Sequence, residues 1–236
     1  MAATKKTARV IGARMLSDSV RSLKLAFEDG PVAFAAGQWV DLHVPTASGP
    51  QKRAYSIASA PDDPALELAV TLVSTGAASP ALHALTPGSA LEVEGPFGFF
   101  THDNALAQTP CLFVATGTGL SPLRSMLFAW RQRPQRAPIT LLFGVRTQAD
   151  ILWGEELTAW AREIPEFSLE VTLSRPDAGW TGRSGYVQTH VAELARTLGE
   201  PHVFVCGLNR MVATVRALCK EELGYDRRRI HSERYD

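Results

Sequence analysis

The pattern of apolar residues changes near residue 110, and this change constrains the fold more than any other feature of the chain. Before it, residues 23–27, 40–44, 66–72 and 91–94 alternate large apolar side chains with polar or small ones. Period-two alternation describes strands with one face in a core and one in water. Breaks at 29–31, 45–50, 60–64 and 86–88 separate them, each carrying Gly or Pro. Several short strands at this spacing predict a small closed antiparallel barrel, which removes exposed edges. The one helical candidate in this half is 79–85. After the change, 111–115 is a continuous apolar run, as in a parallel strand covered on both faces. Strands over 139–143, 167–173 and 202–206 then alternate with helices over 122–133, 155–162 and 187–198. A last helix carries Met211, Val212, Val215 and Leu218 and stops at Gly224, before an extended segment at 229–235. Such β-α alternation predicts a doubly wound parallel sheet. The expected organisation is two domains, residues 1–104 and 105–236, joined through the polar stretch 101–109.

Composition narrows the function. A chain of 236 residues is long enough for two domains that each bury a core. Lysine and arginine total 24, as do aspartate and glutamate, so the net charge is zero. Nothing here is a footprint for nucleic acid or a polybasic membrane signal. No apolar run approaches the ~20 residues of a membrane helix, and residues 1–7 lack a signal peptide's apolar core. The expectation is a cytoplasmic monomer that binds neither nucleic acid nor membrane. Cys111, Cys206 and Cys219 are far apart, and the histidines show no ligand spacing, so no metal is expected. The thiolates for a plant-type iron–sulfur cluster are absent from the sequence. Redox chemistry here must use an organic cofactor.

Two stretches carry such chemistry. In Arg53-Ala54-Tyr55-Ser56-Ile57, strand alternation points Arg53, Tyr55 and Ile57 one way and Ser56 the other. A guanidinium suits a pair of phosphate oxygens, and a tyrosine ring suits a flat heterocycle. Gly117-Thr118-Gly119-Leu120-Ser121-Pro122 lies between the first parallel strand and a helix. Its glycines permit a tight turn and close approach to a pyrophosphate. Ser121 is placed to cap the helix and Pro122 to begin it, with the positive helix end facing an anion.

In their order and spacing these motifs resemble the ferredoxin–NADP reductase family. The resemblance implies an N-terminal flavin-binding barrel and a C-terminal nicotinamide-nucleotide domain. Arg53, Tyr55, Ser56 and Ile57 match the flavin signature, and Gly76-Ala77-Ala78-Ser79 matches the family's Gly-x-x-Ser at the flavin phosphates. Gly117, Thr118, Gly119 and Pro122 match the nicotinamide loop, and Arg146 its Gly-x-Arg stretch. Ser174-Arg175 falls where members using NADP hold the ribose 2′-phosphate, with Arg183 and Tyr186 near the adenine end. Arg175 and Arg183 also read as solvated loop charges. Cys206-Gly207 matches the pair near the nicotinamide, with Leu208-Asn209 in place of the more frequent Pro-containing pair. Glu233-Arg234-Tyr235 resembles the terminal Glu-x-aromatic whose ring covers the flavin, followed here by Asp236.

The implied cofactors are FAD and NADPH, with FMN and NADH the alternatives. The implied catalytic residues are Ser56, Cys206, Glu233 and Tyr235. The implied partner is a separate ferredoxin, flavodoxin or oxygenase component. Arg227-Arg228-Arg229 reads either as a docking patch for it or as a solvated loop end. Rival readings are a reductase that releases free reduced flavin and a non-catalytic FAD-binding subunit of a larger complex.

Overall fold

The computed structural model describes residues 5–103, 106 and 108–235. The first half contains β1 (Lys5–Met15), β2 (Val20–Phe27), β3 (Trp39–Val44), β4 (Gln51–Ser56), β5 (Leu66–Thr71), α1 (Ala78–His83) and β6 (Ala90–Phe97). Its strands pair antiparallel in the order β4-β3-β6-β1-β2-β5. A register shift between Val10 and Gly12 bends β1. The curled sheet brings its two ends together at one bridge, Ile57 to Leu68. The amide of Ala58 adds a bond to the carbonyl of Glu67 at 2.8 Å. The expected small barrel is thus closed at this corner, where the end of β4 reaches β5. Val10, Leu23, Leu25, Leu42, Ile57, Leu66 and Leu68 fill the interior.

The second half contains β7 (Cys111–Thr116), α2 (Leu120–Arg131), β8 (Ile139–Val145), α3 (Gly154–Glu163), β9 (Phe167–Leu173), β10 (Arg183–Ser184), α4 (Val191–Thr197), β11 (His202–Leu208), α5 (Asn209–Glu221) and β12 (Ile230–Tyr235). All six strands are parallel, in the order β10-β9-β8-β7-β11-β12. The run Cys111 to Ala115 is wholly buried, as its unbroken apolar character requires. One sheet face packs Phe113 and Phe143 against Leu123, Met126, Leu127 and Trp130 of α2 and Leu157 and Trp160 of α3. The other packs Leu112 and Val114 against Val191 of α4 and Val212 and Val215 of α5.

Three local expectations need correction. The expected helix over 187–198 splits into a 3-10 turn, Val187–Thr189, and α4. The stripe of buried residues continues across the break, so apolar spacing alone does not reveal it. Helix α2 starts at Leu120, earlier than Pro122, because the 3-10 turn Gly117–Gly119 runs straight into it. Finally, β5 is not half in water. Glu67 and Ala69 are as buried as their neighbours, since the second domain covers that face. The expected domain boundary at 104/105 lies outside the described residues. Among the described residues no helix is long and apolar enough to cross a membrane.

Candidate active site

The strand β4 displays the first motif. Arg53 is exposed and donates to the Lys52 carbonyl at 2.9 Å and to Gln51 Oε1 at 2.7 Å. Both acceptors are neutral, so among the described residues its charge is left uncancelled and suited to an anion. Tyr55 packs half-buried against the barrel core, and burial raises its phenol against the opposing pull of Arg53. Ser56 is buried, and its hydroxyl donates to Glu233 Oε1 at 2.8 Å. Ile57 departs from the expectation. It is fully buried in the barrel core, where it anchors the strand end rather than facing a ligand.

The loop into α1 departs as well. Ser79 lies inside the helix, where its hydroxyl accepts from the Val73 amide at 2.9 Å and reaches the Val73 carbonyl at 3.3 Å. That hydroxyl ties the β5–α1 loop and caps nothing. The Gly76 amide also bonds to Val73 O, at 2.9 Å, and Ala78 is buried. No side chain caps α1 at Ala77, so the helix-start amides remain to be satisfied by water or an anion.

Gly117 opens the nucleotide loop with φ +53°, a left-handed conformation that glycine adopts without penalty. A Cβ on Gly119 would collide with the Cys206 carbonyl, and one on Gly207, at φ +149°, with the Thr116 hydroxyl. The loop therefore nests against the end of β11, an approach that requires Gly119 and Gly207, whereas Gly117 serves the turn by its conformation. Thr118 is half-exposed above it. Ser121 does not cap the helix: it is buried inside α2, where its hydroxyl finds no hydrogen-bond partner among the described residues. Pro122 lies in the first turn of α2, as expected, where its missing amide costs least.

Arg146 and Arg175 are exposed neighbours at the ends of β8 and β9, and the Arg175 amide bonds to the Arg146 carbonyl at 2.8 Å. Neither guanidinium has a carboxylate partner among the described residues. Ser174 beside them is half-buried. Arg183 is different, being forked onto Glu193 at 2.8 and 2.9 Å and bonded to Glu170 at 2.7 Å. Those bonds raise its pKa further and spend its donors on the protein. Tyr186 stands exposed at 67%.

The two halves converge at β12. Register places Cys206 opposite Glu233 and Leu208 opposite Tyr235. Burial raises the Glu233 carboxyl, and the Ser56 hydroxyl only partly offsets it. Burial also raises the Cys206 thiol, with the nearby Glu233 charge adding to it. The Tyr235 hydroxyl is sealed beside Cys206 and Ser56 without a well-formed hydrogen bond among the described residues. Beside Glu233 a cavity of about 400 Å³ opens between Trp39, Gly98, Phe100 and His231, with Phe99 fully exposed at its edge. Trp39, Phe99 and His231 carry no motif of their own in the sequence; the adjacent Phe99 and Phe100 are the one local signal for this wall of the site.

An oxidoreductase FAD-binding domain family matches residues 7–102, and an oxidoreductase NAD-binding domain family matches 113–217. Over its length the chain is 50% identical to ferredoxin–NADP reductase B of Sorangium cellulosum, with 97% of each chain covered. The chain belongs to the ferredoxin–NADP reductase family. It is a flavin oxidoreductase with an FAD-binding and an NAD-binding domain. The toluate 1,2-dioxygenase electron transfer component of Pseudomonas putida is 30% identical over 88% of this chain, which spans 61% of that protein. An Amycolatopsis cytochrome P450 reductase structure superposes with a TM-score of 0.87 at 30% identity, covering 98% of this chain and 70% of that one. A Neisseria gonorrhoeae ferredoxin NADP+ reductase shares the fold, with a TM-score of 0.84 at 19% identity and 98% of each chain covered.

This reductase fits its cofactors. The unpaired charge of Arg53, the half-buried ring of Tyr55 and the orphaned Tyr235 hydroxyl are the polar and aromatic groups a flavin would engage. Across the sheet, Gly117 leaves open space where a Cβ would stand, beside the uncapped start of α2.

Proposed function

We propose that this reductase uses bound FAD to oxidise NADPH and delivers electrons singly to a separate ferredoxin, flavodoxin or oxygenase component. The observation that carries the reading is the Ser56–Glu233 hydrogen bond, which joins the flavin strand of one domain to the last strand of the other. Bound flavin supplies the exchange of a two-electron donor for one-electron acceptors. The chain's own residues orient and insulate the site. Tyr55 and Tyr235 would sandwich the flavin, Arg53 and the start of α1 would hold its phosphates, and Ser56 with Glu233 would hold a proton beside its reactive nitrogen. Gly117, Thr118 and Gly119 would cradle the nicotinamide nucleotide, with Cys206 and Gly207 beneath its ring. Ser174, Arg175 and Arg146 would take the ribose 2′-phosphate, and Tyr186 the adenine. Arg183 serves this differently, by bracing the loop that carries Tyr186.

In this reading residues 1–104 hold FAD and 105–236 hold NADPH. Three buried free cysteines, with no disulfide among the described residues, suit a reducing cytoplasm, and the protein acts as a monomer. The acceptor approaches where Phe99 and the cavity lead to Glu233.

An anaerobic visible spectrum of the purified protein, before and after NADPH or NADH, tests this. A yellow protein bleached faster by NADPH is the expected result. A yellow protein that neither nucleotide bleaches would favour the partner-dependent subunit, and a colourless one would favour flavin as a substrate.

A further inference from the structure

Arg124 projects from the first turns of α2 into the boundary between the domains, where only 4% of it remains exposed. Its Nε and Nη2 fork onto Glu156 of α3 at 2.7 and 3.0 Å. Its Nη1 crosses to the barrel, donating to the Ala58 carbonyl at 2.7 Å and to Glu67 Oε2 at 3.0 Å. The rings of Trp153 and Phe128 lie over the guanidinium at 4.5 and 4.7 Å. Glu67 is held in turn, its Oε1 accepting from the Ser22 hydroxyl at 2.7 Å and from Trp153 Nε1 at 3.3 Å. Burial pushes the Glu67 carboxyl up, but Arg124, Ser22 and Trp153 together outweigh it and hold the group ionised.

The position of this cluster matters more than its strength. Buried ion pairs often stabilise no better than apolar side chains of the same volume. A planar guanidinium, however, fixes direction as well as distance. Ala58 directly follows the segment that carries Tyr55, Ser56 and Ile57, and α2 directly follows the Gly117–Gly119 turn. One side chain therefore spans from the end of the flavin strand to the helix that opens on the nucleotide loop. Hydride transfer demands reacting atoms about 3–3.5 Å apart, and a misplacement of about 1 Å is costly.

We propose that Arg124 is a positioning residue for hydride transfer, a clamp that fixes the distance between the flavin seat on β4 and the nicotinamide seat after β7. This rests on the functional reading given above. The double variant Arg124→Met with Glu67→Gln tests it without leaving the buried Glu67 charge unpaired, while Glu156, 30% exposed, keeps access to solvent. The methionine fits between the same rings, and the new amide oxygen still accepts from Ser22 and Trp153. Arg124→Lys, which keeps the charge but loses the fork, is the companion.

In stopped-flow mixing with saturating NADPH, flavin reduction in the double variant should slow on the order of 10- to 100-fold. Flavin content and NADP+ affinity should stay unchanged, and the long-wavelength charge-transfer absorbance should weaken. Arg124→Lys should recover only part of the rate. Calorimetry of the flavin-free protein should split one unfolding transition into two in the double variant. Unaltered reduction and charge-transfer absorbance would overturn the proposal, as would a loss confined to NADP+ affinity or a single transition retained by the variant. If the wild-type flavoprotein were not bleached by NADPH, the functional reading would fail instead, while calorimetry would still report on the clamp.

Discussion

The Ser56 hydroxyl donates to Glu233 Oε1 at 2.8 Å, across the join between the two domains. Burial raises the carboxyl it meets, so Glu233 exchanges its proton closer to neutrality than an exposed glutamate does. A group poised in this way is suited to holding a proton near the flavin.

Replacing Ser56 with Ala should leave flavin content intact and slow flavin reduction by NADPH on the order of 10²-fold. Glu233→Gln keeps an acceptor for Ser56 but cannot exchange a proton. It should slow the proton-coupled step and abolish that step's pH dependence. Stopped-flow traces across a pH series measure both. A Glu233→Gln profile as steep as wild type would remove the carboxyl from the proton path.

Nucleotide preference should divide the arginines. Arg175 lies exposed beside Arg146 without a carboxylate partner among the described residues, whereas Arg183 is spent on Glu170 and Glu193. A charge-assisted hydrogen bond contributes about 1.5–3 kcal/mol. Arg175→Ala should therefore raise KM for NADPH roughly 10- to 100-fold and leave KM for NADH alone. Arg183→Ala should affect both nucleotides alike. Steady-state kinetics with the two nucleotides decides, and an equal loss for both in Arg175→Ala would remove it from the 2′-phosphate site.

Much of this site was legible in the chain before folding, because its motifs are local. Arg53 to Ser56 and Gly117 to Gly119 each lie within one strand or turn, and alternation or glycine placement reports them directly. Strand β9 falls on residues 167–173 as its apolar pattern predicts. What could not be read depends on distant partners. Glu67 looked like the wet side of a strand, and only the arrival of α2 and Trp153 on that face buries it. Arg183 looked free because its partners come from β9 and α4. Ser121 looked like a cap because the 3-10 turn that precedes α2 leaves no mark in apolar spacing.

Acid sensitivity should trace to two histidines: His231, whose pKa burial also lowers to about 4, and above all His102, the more deeply buried of the two. It is 6% exposed, and its Nδ1 accepts from Arg133 at 3.2 Å, a bond that requires neutral imidazole. Around it stand the Cys111 sulfur, at 3.5 Å, and the edges of Phe113 and Phe204. Burial, then Arg133, lowers its pKa from 6.5 to about 4, while Asp103 pulls it up and His231 and His202 push it down. The unfolded chain therefore binds a proton that the folded one refuses. The stability this withholds is fully present above pH 6.5 and is lost as pH falls toward 4. At 1.36 kcal/mol per pH unit the loss is about 3 kcal/mol. Urea unfolding at pH 7 and pH 4.5 measures it. His102→Phe should show a distinctly smaller difference between the two, and an unchanged one would place the acid sensitivity elsewhere.

Tyr235 should govern access to the nicotinamide seat. Its hydroxyl is buried beside Cys206 and Ser56 without a well-formed hydrogen bond among the described residues, and leaving such a group unsatisfied costs about 1–3 kcal/mol. The side chain thus occupies a place where its ring is favoured and its hydroxyl is not, which suits a group that must move aside. Two substitutions then act in opposite directions. Tyr235→Ser removes the ring, so NADP+ should bind more tightly, and NADH should gain relative to NADPH because displacement no longer draws on 2′-phosphate binding. Tyr235→Phe removes only the orphaned hydroxyl, so the ring should sit more firmly and NADP+ should bind more weakly. Difference-spectral titrations with NADP+ and NAD+ read both. If the two variants shifted affinity in the same direction, the balance between ring and hydroxyl would not be what holds the residue in place.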